Sequence, residues 1–87
     1  ALGNYGTAIT DFRTRLKYPF LGPETELATR LGLATCLFMT DKDDEAARAA
    51  KTALGLVRKN KKLSPYLKLV LDRTALYSLS AKRFGQA

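Results

Sequence analysis

The stretch Pro23-Glu24-Thr25-Glu26-Leu27-Ala28-Thr29-Arg30-Leu31-Gly32-Leu33-Ala34-Thr35-Cys36-Leu37-Phe38-Met39 decides the fold. Leu27, Leu31, Ala34 and Phe38 recur at three- and four-residue steps, which places them on one face of a helix. Ala28 and Cys36 flank that face. Proline suits a first helical position because its missing N–H is unpaired there anyway. Glu24 and Glu26 in the first turn complement the helix dipole. The spacing therefore predicts a helix from Glu24 to Met39.

Outward from this helix the same period persists. Upstream, Tyr5, Ala8, Ile9, Phe12 and Leu16 share a helical face, and Pro19, Gly22 and Pro23 end that segment. Downstream, Asp41, Asp43, Asp44 and Glu45 read as an N-cap and acidic first turn, because the cluster lacks the central Gly and distal Glu of a calcium loop. A third helix from Asp43 to Lys59 follows, with an Ala-rich stripe of Ala46, Ala50, Ala53, Leu54 and Val57. Asn60 to Leu63 is a basic connector, and Ser64 with Pro65 reads as an N-cap and first-turn proline. The fourth helix is expected over Pro65–Ser80, with Leu67, Val70, Leu71, Thr74, Ala75 and either Tyr77 or Leu79 inward. Ala81 to Gly85 is expected to turn into a further helix. No segment alternates with period two for long enough to be a strand. The fold class is all-α, in antiparallel hairpins with short connections.

Composition removes whole classes of chemistry. The 87 residues contain no His, so there is no imidazole base or ligand, and one Cys, so there is no internal disulfide or thiolate zinc site. None of the glycines forms a phosphate-cradling motif. No catalytic residue, metal site or cofactor is expected, and the chain does not read as an enzyme. Cys36 reads as a small buried hydrophobe. No apolar run approaches the length of a membrane span, and no signal peptide is visible, so a cytoplasmic location is expected. The chain starts at Ala1 rather than Met, which suggests a fragment. The net charge of +7 is uneven. Residues 1–57 are neutral overall, whereas residues 58–87 carry eight cations and the single acid Asp72. Such asymmetry speaks of partners rather than fold.

A longer period is also present. Gly3, Tyr5, Ala8, Phe12, Leu16 and Pro19 follow the order turn Gly, aromatic, small, aromatic, apolar, Pro. The Ala8/Phe12/Leu16 spacing recurs at Ala46/Ala50/Leu54, and Lys82, Phe84 and Ala87 enter the same order again. Leu31-Gly32, and later Leu71 with Ala75, stand where a bulky residue and a small one alternate in a first helix. In these features the chain resembles the tetratricopeptide repeat family, with a unit spacing of 38–41 residues against the usual 34 or so. The resemblance implies a second helix in residues 1–19, a full repeat in 24–59, and a first helix with the start of its mate in 64–87. It implies antiparallel helix-turn-helix units stacked as a short right-handed solenoid. Small residues at Ala8, Gly32, Ala46 and Ala75 would let helices cross closely. About three units are needed for stability, so the ends are expected to be covered by further repeats, a partner or a second copy.

The resemblance further implies a concave groove lined by Glu26, Thr29, Arg30 and Leu33 on one helix and Leu69, Asp72, Arg73 and Leu76 on the other. Arg30 and Arg73 stand in equivalent places, to clasp a carboxylate of a peptide or to pair internally with Glu26 and Asp72. The two-carboxylate clamp of some family members needs a Lys four residues before the Arg, where this chain has Glu26 and Leu69. No chaperone-tail receptor is therefore expected. The expected function is a protein–protein interaction scaffold or adaptor, binding a partner segment or subunit through the groove or an end face. The alternative is a basic module contacting RNA or DNA through Arg58, Lys59, Lys61, Lys62, Lys68, Lys82 and Arg83; the same cations could instead meet an anionic membrane surface or an acidic protein partner, or form a solvated face.

Overall fold

The computed structural model describes residues 4–18 and 21–85, with side chains described as far as Lys82. All the regular structure described is helical: α1 (Tyr5–Arg15), α2 (Pro23–Met39), α3 (Asp43–Lys59), a 3-10 turn (Lys61–Tyr66) and α4 (Leu67–Gly85). Gly3, Pro19 and Ala87, which belong to the repeat pattern, lie outside the described residues. Each helix packs on the one before it, and α3 lies between α2 and α4. The molecule measures 39 × 27 × 20 Å. Its shortest dimension accommodates two helix layers at the usual 8–10 Å separation or so.

The core forms in two linked parts. Ile9, Leu33, Ala34, Cys36, Leu37, Ala46, Ala47, Ala50 and Tyr77 make one, with Phe12, Leu16 and Phe38 against it. Leu27, Ala53, Val57, Leu63 and Val70 make the other. The alanine stripe of α3 is the reason α2 and α4 both reach it. Ala34, Ala46, Ala50 and Ala53 have no exposed surface at all. At the α1–α2 crossing Gly32 admits the Phe12 ring; a Cβ built on Gly32 would sit 2.7 Å from Phe12 Cζ.

The α2–α3 corner closes by a backbone device that residue types alone conceal. Lys42 N donates to Leu37 O at 2.9 Å and Asp41 N to Phe38 O at 3.2 Å, with Asp41 at φ 63°. This is a Schellman ending, in which the left-handed position usually holds glycine. Asp41 is thus the terminator of α2 rather than the N-cap of α3, and Lys42 occupies the N-cap position without a side-chain cap bond. The acidic turn beyond it ties neighbouring helices to α3. Ser80 Oγ of α4 donates to Asp43 Oδ2 at 2.9 Å, and Arg13 of α1 pairs with Glu45 at 3.2 Å.

Two expectations about α4 are corrected. Ser64 does not cap a helix: its hydroxyl donates to Lys61 O, and Pro65 lies within the 3-10 turn that leads into α4 at Leu67. Asn60 shapes that turn by accepting from Lys62 N at 3.0 Å. The helix then continues through Ala81 to Gly85, where a turn was expected. Its inward side is also narrower than the apolar pattern implied. Val70 and Tyr77 are buried, whereas Leu67, Leu71, Ala75 and Leu79 are exposed. The apolar residues of α4 run along more than one flank, and α3 covers only one of them.

Candidate functional site

Between the first turns of α2 and α4 lies a cleft of about 200 Å³, lined by Glu24, Leu27, Ala28, Leu31, Tyr66 and Leu69. The i, i+3, i+4, i+7 spacing of Glu24, Leu27, Ala28 and Leu31 puts them on one face of α2. The 3-10 turn delivers Tyr66 to the opposite wall, and Leu69 follows in the first turn of α4. The walls are apolar apart from the Glu24 carboxylate at the end.

One buried contact holds the two walls at their far end. Tyr77 is 1% exposed, and its ring lies 4.7 Å from that of Phe38. Its hydroxyl accepts from Arg73 Nη1 at 3.2 Å and lies 3.1 Å from Thr35 Oγ1. Because Thr35 Oγ1 donates to Leu31 O, Tyr77 donates to Thr35. The chain Arg73–Tyr77–Thr35 thus bridges α4 to α2 with every hydroxyl satisfied.

The eight residues expected to line a groove are dispersed. Leu69 lines the α2–α4 cleft. Glu26 and Arg30 lie on nearly the opposite face of α2, in a shallow depression shared with Thr52, Gly55, Leu56 and Lys59 of α3. Thr29 and Leu33, expected to be exposed, are buried, and Thr29 Oγ1 is satisfied by Thr25 O at 2.7 Å. Asp72, Arg73 and Leu76 are exposed on α4. Arg30 Nε stands 3.5 Å from Glu26 Oε2, an ion pair within one helix, and Nε is buried without hydrogen-bond geometry. Arg73 is exposed and places Nη1 on the Tyr77 hydroxyl. Arg30 lines the α2–α3 depression and Arg73 lines neither that depression nor the cleft. The helical period marks Leu27 and Leu31 as core residues, and in the structure they serve core and cleft together.

The cations Arg58, Lys59, Lys61, Lys62, Lys68 and Lys82 are all exposed. Among the described residues none of them forms an ion pair. The side chain of Arg83 lies outside the described residues. Cys36 is buried, and burial pushes its thiol above the ordinary range, so it is protonated at neutral pH. Among the described residues, no helix is long and apolar enough to cross a membrane. No family model, curated protein or solved structure matches the chain.

Proposed function

We propose that the chain is a protein–protein interaction module of tetratricopeptide-like design, which holds an apolar segment of a partner protein in the α2–α4 cleft. The observation that carries this reading is the cleft itself. Ala28, Tyr66 and Leu69 are exposed groups lining one cleft, where burial of apolar surface by a ligand gives about 25 cal/mol per Å². The Gly32–Phe12 crossing and the consecutive packing of α1 to α4 support a repeat arrangement. In such an array α2 and α4 are the equivalent first helices, and recognition is by a preformed surface without covalent chemistry.

Affinity capture from source lysate tests the reading, with the chain as bait and nuclease present throughout. A small set of proteins retained by the native chain and lost with Leu69→Asp is the expected result. Leu69 is exposed, so the charge enters the cleft wall without entering the core. Capture that vanishes with nuclease, or that is indifferent to Leu69→Asp, would contradict the proposal.

A further inference from the structure

The second flank of α4 points to a different partner. Leu67 and Leu71 are 36% and 40% exposed. With Ala75, also exposed, they form a strip one helical turn apart at each step, on the side of α4 away from the cleft residue Leu69. Lys68 is exposed one residue after Leu67, Lys82 is exposed two turns beyond Ala75 on the same side of the helix, and Lys61 and Lys62 precede the strip in the 3-10 turn. From Arg58 to Leu71 there is no carboxylate in the chain. The carboxylates of α2 near this end are Glu24, at the cleft, and Glu26, already beside Arg30. Asp72 is the only acid on α4.

We propose that this flank of α4, with the basic connector leading into it, docks on an anionic lipid bilayer. The helix lies on the membrane and does not cross it. A bilayer offers a sheet of negative charge above acyl chains, so it engages lysines and leucines of one strip together. Single-stranded nucleic acid would use the lysines but gains its affinity from aromatic stacking, and the strip presents leucines. A second copy of the chain would bring like charges together along the same flank. Lysine stems lie along the apolar strip while their ammonium groups reach the phosphates.

Sedimentation with vesicles tests this with the full chain. The probes are vesicles of phosphatidylcholine alone and vesicles containing about one-third phosphatidylserine. The native chain is expected to partition onto the anionic vesicles only, and to leave them as salt rises to about 1 M, where the screening length falls to about 3 Å. The double variant Lys61→Gln/Lys62→Gln should weaken partition about 25-fold, at about fivefold for each cation near the surface. Leu67→Ser, which keeps every charge, should also weaken it. Lys42→Gln/Lys51→Gln, on the α2–α3 side, should leave it unchanged. Every substituted side chain is exposed, and circular dichroism checks that each variant stays helical. Equal partition onto both vesicle types, or none, would overturn the proposal. So would binding of a single-stranded oligonucleotide without vesicle binding, or a salt-stable dimer that Leu67→Ser disperses. Partition indifferent to Leu67→Ser would overturn the apolar half of the argument and with it the orientation of α4.

Discussion

Two glycines of the same chain should respond in opposite directions to the same change. A Cβ at Gly32 meets the Phe12 ring at 2.7 Å, with two further ring atoms at 3.2 Å, whereas a Cβ at Gly55 meets nothing within 4 Å. Alanine gains about 0.5–1 kcal/mol over glycine in a helix interior. Gly55→Ala should therefore raise stability by about that amount. At Gly32 overpacking costs about 1–3 kcal/mol and outweighs the gain, so Gly32→Ala should lower the urea midpoint. Cys36 gives a pH dependence. Its folded-state pKa is raised, so the native state holds its proton more tightly than the unfolded chain. Stability from this group is present below the ordinary thiol pKa of about 8.5 and falls as pH rises beyond it. Urea titrations at rising alkaline pH should show that decline, and Cys36→Ala should flatten it. Gly32 was legible in the sequence as a close crossing. Asp41 was not, because a left-handed φ leaves no mark when the residue is not glycine.

At the scale of elements, helix periods were readable and helix ends less so. α2 and α3 agree with the spacing of their apolar residues within a residue, since both are strongly periodic and bounded by proline or acidic turns. α4 runs past the turn that the repeat pattern places at Lys82, because lysine's local propensity is helical. The Schellman ending of α2 makes a prediction of its own. Asp41→Gly removes the Cβ from a left-handed position, and should raise thermal stability by about 1 kcal/mol. The α2–α4 bridge makes another. Tyr77→Phe removes a hydroxyl shared by Arg73 and Thr35 and should cost about 1 kcal/mol, read by urea denaturation. Tyr77→Ala empties the packing against Phe38 as well and should cost about 3–5 kcal/mol.

The described helices enclose an interior made largely of alanine on α3 and leucine on α2. That much followed from composition and period. Thr29 and Leu33, expected along a groove, are buried because α2 carries more apolar residues than one neighbour can cover. Leu27 and Leu31 line the cleft with Tyr66 and Leu69 as well as the core. An amphipathic pattern reports which positions avoid water, and cannot by itself report which neighbour meets each one. The cleft and the open flank of α4 are both surfaces that only three-dimensional packing separates.

The most direct measurement of the central claim is site-specific photocrosslinking in source lysate. A photoreactive amino acid would replace Leu69, in the α2–α4 cleft, and in a second variant Thr52, in the α2–α3 depression. Discrete, nuclease-resistant protein adducts from position 69 and none from position 52 are predicted. Adducts from position 52 with none from position 69 would contradict the account.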